Sequence, residues 1–278
     1  MFGNPTAKAY KIRLRLYTCR MKFFGRRNLS GIEVARLDCG GHHFAPHFHD
    51  EFVLGVNLRG HERIRLDRKA LEAGEGEITL YNPGQVQSSQ PVSSEWQFLS
   101  LYVDPAFLSD AFDLSPETVF DRPILKHNDA AFRMKSAIAH ALDTDITETE
   151  ALERLMQTLD DLLVLAGSRR PGVSRHVPPA LQRVADRLTS LTPMPTLAEL
   201  AAEVDLTPVQ LVRAFTRTYG LPPFAWASNC RLNVARVRME RGENIAYAAA
   251  DLGFADQAHL TRRFRAQYGV PPGRWRKG

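Results

Sequence analysis

An internal repeat near the C-terminus constrains the fold of this chain more than any other sequence feature. At an offset of 48, five positions of the two copies match: Leu197, Leu200, Ala201, Val204 and Leu206 with Ile245, Ala248, Ala249, Leu252 and Phe254. At an offset of 49, six more match: Leu211, Phe215, Tyr219, Gly220, Pro222 and Pro223 with Leu260, Phe264, Tyr268, Gly269, Pro271 and Pro272. The repeat predicts two copies of one small helical unit, with a single insertion before the last helix of the second copy.

Each copy has the local features of a helix-turn-helix unit. Thr196 and Glu199 have the spacing of a capping box, which starts the first helix. Thr207 can cap the second helix, and Pro208 suits its first turn. In the second copy, Gly253 supplies a residue for a left-handed turn. The polar remainder of each second helix is predicted to face outward.

A stiff helix is predicted to join the two units. Residues from Phe224 to Arg241 read as one continuous helix of about 27 Å. An apolar stripe of Trp226, Cys230, Val234 and Val237 is predicted to be its buried face. With this spacing, the two recognition helices are expected about 34 Å apart, in successive major grooves of one DNA face.

These residues resemble the DNA-binding domain of the AraC/XylS family of transcription regulators, over about Pro178 to Lys277. The most specific motif runs from Asp251 to Pro272 and reads DLGFADQAHLTRRFRAQYGVPP. Asp205 departs from the pattern, because the family usually has glycine there. Since Asp tolerates left-handed backbone better than most residues, we expect a modest stability cost and no loss of function.

The resemblance implies a set of residues that read bases and a set that contact phosphates. Base-reading positions are Val209, Val212 and Arg213 in the first unit and Gln257, Ala258, Thr261 and Arg262 in the second; Gln210 shares the outward face. Arg213 and Arg262 suit bidentate contacts with guanine. Phosphate contacts are assigned to Arg217, Arg265 and Arg274. Double-stranded DNA is therefore the expected partner.

The charge is distributed unevenly along the chain. Residues 1–32 carry 8 basic residues and no acidic ones, residues 33–173 carry 13 and 23, and residues 174–278 carry 15 and 8. An acidic module followed by a basic one suggests that the second meets a polyanion. Charge alone is equally consistent with two modules that are merely kept in solution.

Short strands are predicted between about Glu33 and Val103. Segments 51–58, 63–67, 78–81 and 96–103 have strand-like patterns separated by Gly and Pro, which favours a β-sandwich or a small barrel. The motif from Pro46 to Asp50 and the segment from Gly76 to Gly84 resemble the cupin-like effector domain of the same family. The expected fold class is therefore multidomain α+β: a cupin-like β-barrel with following helices, then an all-α domain with two helix-turn-helix units.

The cupin resemblance implies an effector pocket without a metal. His47 and His49 stand at the metal-binding positions, but Val53 or Leu54 occupies the place of the expected Glu, and Gln87 that of the later His. Two ligands rarely hold a catalytic metal. We expect no cofactor, no metal and no catalytic set, and a small-molecule effector bound by His47, His49, Tyr81, Gln87 and Trp96. The alternative is that these histidines are ordinary strand residues without a ligand.

The expected organisation has five parts: a basic disordered arm (1–31), the effector domain (32–125), a helical coupling or dimerisation segment (126–167), a linker (168–177) and the DNA-binding domain (178–278). A helix over Leu152–Ala166 is predicted either to pack on the barrel or to pair with a second subunit. The arm is interpreted as an unstructured extension or as a start site placed too far upstream.

The predicted function is a transcription regulator controlled by an effector. Two alternatives stay open: a cupin enzyme with a DNA-binding appendage, and an architectural DNA protein without sequence preference. RNA polymerase and a second copy of the chain are further candidate partners. A cytoplasmic location is expected, since the three cysteines are scattered and no segment resembles a membrane span or secretory signal. The effector, the operator and the sign of regulation do not follow from the sequence.

Overall fold

The computed structural model describes residues 22–92, 95–115, 117–169, 177–190 and 194–275. A β-rich N-terminal part is followed by helices, which confirms the predicted fold class. The strands are β1 Lys22–Leu29, β2 Ile32–Asp38, β3 Phe44–His47, β4 Phe52–Arg59, β5 Glu62–Leu66, β6 Lys69–Ala73, β7 Ile78–Tyr81, β8 Gln87–Pro91, β9 Gln97–Val103, β10 Val119–Phe120, β11 Ile124–Leu125 and β12 Ser168–Arg169. The four strands predicted from sequence periodicity correspond to β4, β5, β7 and β9.

The strands form two main antiparallel sheets. The larger has the order β1-β2-β9-β4-β7-β11, and the smaller has the order β3-β8-β5-β6. No hydrogen-bonded pair joins these two sheets within the described residues, so the barrel is not closed by backbone bonds. Strand β5 buries Glu62, Ile64 and Leu66 and exposes the residues between them, because successive strand residues point to opposite faces.

The expected disordered arm is partly wrong. Lys22–Leu29 forms β1, which pairs with β2 along its length, while residues 1–21 lie outside the described part. The basic residues of this strand hid its role, since Arg26 and Arg27 are engaged with the protein rather than with solvent. Arg27 donates to the carbonyls of Ala141, Asp143 and Ile146. The expected linker also begins with structure, because Ser168–Arg169 pairs with β10.

Three helices follow strand β9 in the N-terminal part, residues 22–169, which is called the sensor below: α1 Pro105–Phe112, α2 Asn128–Ala141 and α3 Glu148–Ala166. Helix α3 begins with a capping box of Thr147 and Glu150 and ends at Gly167, which adopts left-handed backbone. Its buried leucines join the sheet core and α2 in one apolar cluster. Packing on the barrel is thus the arrangement seen within one chain; pairing with a second subunit stays a prediction.

The C-terminal part contains α4 Pro179–Thr189, α5 Leu197–Ala202, α6 Pro208–Tyr219, α7 Pro223–Glu240, α8 Ile245–Asp251, α9 Gln257–Tyr268 and α10 Pro272–Trp275. Helices α5 and α6 begin with the capping residues Thr196 and Thr207, as the sequence predicts, and α8 begins after Asn244. Helices α5 and α6 form one helix-turn-helix unit, and α8 and α9 form the other. Leu211 and Phe215 of α6 correspond in burial to Leu260 and Phe264 of α9.

The predicted buried stripe of the connecting helix α7 is wrong. Val234 is 44% exposed, and the buried face instead includes Asn229, Asn233, Arg236 and Met239. The apolar pattern misled because α7 packs against the sensor as well as on its own domain, and its contacts with the sensor include polar ones made by Asn229 and Arg236.

Asp205 adopts left-handed backbone with φ 54°, whereas its counterpart Gly253 has φ 71°. We expect Asp205→Gly to raise the free energy of unfolding by about 0.5–1 kcal/mol, because glycine has no Cβ to strain in this region. Glu203→Gly is the control, since Glu203 has ordinary helical backbone with φ −60° and should lose stability. Thermal unfolding measures both; a loss of stability in Asp205→Gly would contradict this explanation.

Candidate functional site

A cavity of about 60 Å³ lies between the two sheets of the sensor. That volume exceeds the space one water needs several-fold and suits a small molecule. The five residues predicted to bind an effector all line it: His47, His49, Tyr81, Gln87 and Trp96. His47, Tyr81 and Gln87 lie on β3, β7 and β8, while His49 follows β3 and Trp96 precedes β9. Only the folded domain brings these five residues together.

The two cavity histidines are buried and hydrogen-bonded to each other. Nδ1 of His47 lies 2.7 Å from the carbonyl of Ala45, which can only accept, so this nitrogen carries the proton. Nε2 of His47 then accepts from Nε2 of His49 at 3.1 Å. Burial lowers the pKa of His47 to about 4 and lowers that of His49 well below its usual value, so both rings are neutral near pH 7. Nδ1 of His49 is left as an acceptor without a hydrogen-bond partner.

A buried carboxyl group also lines the cavity. Glu62 is 4% exposed and accepts a hydrogen bond from the side-chain amide of Asn57 at 3.3 Å. The Asn57 carbonyl oxygen in turn accepts from the Trp96 indole at 3.0 Å. Burial raises the pKa of Glu62 to about 7, against the opposing effect of hydrogen bonds from Ser89 and Asn57. Glu62 therefore changes charge near neutral pH.

The DNA-binding domain supplies part of the cavity wall. Gln267 and Tyr268, at the C-terminal end of α9, line the cavity beside residues of the sheets. The rings of Tyr268 and His49 lie 6.0 Å apart. Both α9 residues donate to the side-chain oxygen Oδ1 of Asn233 on α7, at 2.7 Å from Tyr268 and 3.1 Å from Gln267. The helix on which the second set of base-reading residues is predicted thus ends at the cavity.

A second contact joins the cavity segment to α7. Asn229 accepts a hydrogen bond from the backbone N–H of Phe48 at 3.0 Å and donates to the Phe48 carbonyl at 2.9 Å. Phe48 lies between the two cavity histidines in sequence, and its own ring faces Trp226 of α7 at 6.3 Å. A displacement of the histidines would therefore also move Phe48, whose backbone N–H and carbonyl are both hydrogen-bonded to Asn229 of α7.

Buried ion pairs complete this interface. Arg236 of α7 contacts Glu33 and Glu240, each at 3.2 Å, and also Glu51. Arg26 of β1 pairs with Glu33 at 2.7 Å and with Glu240 at 2.6 Å. Both arginine side chains are about 5% exposed. Two guanidinium groups share three carboxylates across the boundary between the domains.

The predicted DNA-reading residues lie on the second helix of each unit. Two of them, Val212 and Thr261, are half-buried, and the other eight are exposed: Val209, Gln210, Arg213, Arg217, Gln257, Ala258, Arg262 and Arg265. Gln210 also accepts hydrogen bonds from the backbone and hydroxyl of Thr207, so it has a structural role in capping α6. Arg217 lines a cleft against the sensor, and the charge of Arg265 lowers the pKa of His42, after burial as the larger cause.

Sequence reasoning missed the residues that connect the two domains. Asn229, Asn233, Arg236 and Glu240 recur at helical intervals of four, three and four, which is a polar stripe along α7. This polar stripe is the sequence signal for the interface, and apolar periodicity does not detect it. For Glu62, the alternating pattern of β5 indicates only that its side chain points inward, and it gives no sign of a role in the cavity.

Comparisons with known proteins agree with this architecture. Residues 30–159 match the AraC-like ligand binding domain, and residues 200–278 match a helix-turn-helix domain. The arabinose operon regulatory protein of Escherichia coli is 23% identical over 239 residues, covering 82% of this chain and 80% of that protein. The regulator MtrA of Neisseria gonorrhoeae is 29% identical over 80 residues, which cover 28% of this chain.

A solved structure shares the whole two-domain fold. Unsaturated fatty acid-bound ToxT of Vibrio cholerae superposes with a TM-score of 0.56 at 15% identity, covering 90% of this chain and 96% of ToxT. A sensor of β-strands joined to a double helix-turn-helix domain defines a class of ligand-responsive DNA-binding regulators. The chain belongs to the AraC/XylS family of these transcriptional regulators. In the described ranges, no helix combines the length and apolar character needed to span a membrane.

Proposed function

We propose that the cavity lined by His47, His49, Tyr81, Gln87 and Trp96 is the effector site, and that its occupancy controls how α6 and α9 meet DNA. One observation carries the proposal: the wall of the cavity comes from both domains, since Gln267 and Tyr268 belong to α9. A molecule in the cavity touches the helix that reads DNA, so its binding energy can differ between two arrangements of the domains. Such a difference is what a ligand needs to shift an equilibrium.

Two physical connections support this coupling. The first runs from the cavity through Tyr268 and Gln267 to Asn233 on α7. The second runs from the His47 and His49 backbone through Phe48 to Asn229. Both connections end on α7, the helix that joins the two helix-turn-helix units. The structure of ToxT bound to an unsaturated fatty acid supports the idea that this fold holds a small organic molecule.

For the DNA side, we assign base reading to eight exposed or half-buried positions of α6 and α9. In α6 they are Val209, Gln210, Val212 and Arg213; in α9 they are Gln257, Ala258, Thr261 and Arg262. The matching location of Arg213 and Arg262 in the two copies supports guanine contacts by both. Arg217 and Arg265 are assigned to phosphates, which fix position without reading sequence.

The chain is proposed to regulate and not to catalyse a reaction. Val53 and Gln87 line the cavity near the places where metal cupins have acidic and histidine ligands. In the described ranges, no group of three or more His, Cys, Asp or Glu is placed to hold a metal.

A second copy of the chain and RNA polymerase are proposed as further partners. The half-buried Leu152 and Met156 and the exposed Val164 of α3 offer an apolar surface for the former.

The test couples the cavity to DNA affinity. A small-molecule library is screened for compounds that raise the melting temperature of the full chain but not that of Ser89→Leu, which fills the cavity. Affinity for a duplex selected from a random pool is then measured with and without each compound. We expect a change of about 5–150-fold in the native chain, and a much smaller one in Asn229→Ala, which loses both bonds to Phe48. Unchanged DNA affinity with a cavity-bound compound would refute the coupling.

A further inference from the structure

We propose that the effector is a small organic cation with a primary ammonium group, and that Glu62 binds this group inside the cavity. The inference rests on the proposed function, in which this cavity is the effector site. It adds the chemical class of the ligand. Three independent properties of the cavity support it: its charge, the polarity of its unused hydrogen-bonding groups and its aromatic walls.

The first property is an acidic charge balance. Glu62 is buried in the cavity, and no described salt bridge pairs it with a cation. His47 and His49 are neutral, so they do not compensate for it. The two arginines behind the wall, Arg26 and Arg236, are already shared among three carboxylates. A buried carboxylate is costly unless it is protonated or paired, and a ligand ammonium would pair it.

The second property is an excess of acceptors. Three buried atoms of the lining have no hydrogen-bond partner: Nδ1 of His49, Oε1 of Gln87 and the hydroxyl oxygen of Tyr81. The first two only accept, and the hydroxyl can accept as well as donate. Glu62 accepts only the amide of Asn57 and the hydroxyl of Ser89. An ammonium group has three donors and no acceptor, so it matches such surroundings better than a carboxylate or phosphate, which only accept. An anionic effector would face Glu62 with like charge.

The third property is the aromatic character of the walls. Six aromatic residues line the cavity: Phe44, Tyr81, Trp96, Phe98, Tyr102 and Tyr268. The faces of such rings carry partial negative charge and attract ammonium ions, most strongly in tryptophan. A neutral polyol could also use the acceptors, but it would leave the charge of Glu62 unpaired. The volume of about 60 Å³ restricts the ligand to a small skeleton.

The test compares matched probes that share a carbon skeleton and differ in their polar group. Ethyl-, butyl- and benzylammonium are titrated into the full chain at pH 7.5, each beside the alcohol and the carboxylate of the same skeleton. We expect at least one ammonium compound to bind, with its alcohol and carboxylate at least tenfold weaker. Glu62→Gln keeps the shape and hydrogen bonding of the side chain and should lower ammonium affinity at least tenfold. Ser89→Leu should abolish binding.

The protons released when an ammonium compound binds provide a second test, which needs no variant. Because the pKa of free Glu62 is about 7, an ammonium that stabilises the ionised form releases a proton, and affinity falls as pH drops below 7. The facing groups stay neutral there: burial holds the pKa of His47 near 4 and His49 well below its usual value, and raises that of Tyr81 far above 10, with the Glu62 charge adding to the rise. Calorimetry at about pH 6.5, where most of the free Glu62 carboxyl is protonated, detects the proton when it is run in two buffers of different ionisation enthalpy.

The outcomes separate the two proposals. Binding of the alcohols as tightly as the ammonium compounds, no binding by any ammonium compound, or no proton release would overturn the cationic effector. If the alcohols bind and Ser89→Leu abolishes their binding, the cavity remains the effector site and only the ligand class is wrong. If Ser89→Leu binds every probe as well as the native chain does, the cavity is not the site, and both proposals fail.

Discussion

Replacing Arg236 with alanine is expected to lower the free energy of unfolding by about 3–5 kcal/mol, the range found when one partner of a buried ion pair is removed. Arg236 is 5% exposed and contacts Glu33, Glu51 and Glu240. Without it, Arg26 is the remaining cation of this cluster, and at least one carboxylate loses its compensation in a buried position. The loss should appear in urea unfolding as a lower midpoint.

Arg238→Ala is the matched control on the same helix. Arg238 also pairs with two carboxylates, those of Glu243 and Asp251, but its side chain is 28% exposed. Because water screens such pairs, we expect a loss of about 0–1 kcal/mol. Equal losses in the two variants would mean that the interface cluster is not a buried charge network. A stabilised Arg236→Ala would be a stronger contradiction.

Removal of the Arg262 side chain is expected to weaken binding to the selected duplex by about 1–3 kcal/mol, or about 5–150-fold, and to relax specificity at one base pair. Arg262 is exposed on α9, at the position equivalent to Arg213 in the first unit. A bidentate arginine reads one guanine, so its loss should be confined to that position. Selection from a random pool, repeated with the variant, measures this.

Arg263→Ala separates base reading from charge. Arg263 neighbours Arg262 on α9 and is also exposed, but its guanidinium donates to Ser228 at 3.0 Å. Both variants lose one positive charge, so both should bind DNA less tightly at low salt. Only Arg262→Ala should alter the selected sequence. An identical sequence preference in the Arg262 variant would remove this residue from the base-reading set.

The sequence predicted the DNA-binding half well because local signals and burial agree there. Thr196 and Thr207 cap the helices they were expected to cap, and Gly253 has the left-handed backbone that its turn requires. The repeat also let each helix and turn of one unit be checked against its counterpart in the other unit. The five residues predicted to bind an effector do line one cavity, because the cupin resemblance covers the strands that carry or adjoin them.

The domain interface could not be predicted with the same reasoning. Arg26 was expected in a disordered arm because the segment from Lys8 to Arg27 has no clear hydrophobic period, yet it is buried against Glu33 and Trp275. Asn229 and Arg236 are polar residues on a buried face, which apolar periodicity does not detect. Contacts between distant segments, such as Phe48 with Asn229, depend on how two domains meet, and no local pattern encodes that.

Hydroxyl-radical footprinting of the full chain on its selected duplex tests the central claim most directly, namely that α7 joins two units that read DNA together. The account predicts two protected patches on one face of the duplex, with centres about 10 base pairs apart. Alanine at Arg213 should weaken one patch, and alanine at Arg262 the other. A single patch, or two patches on opposite faces, would contradict the account.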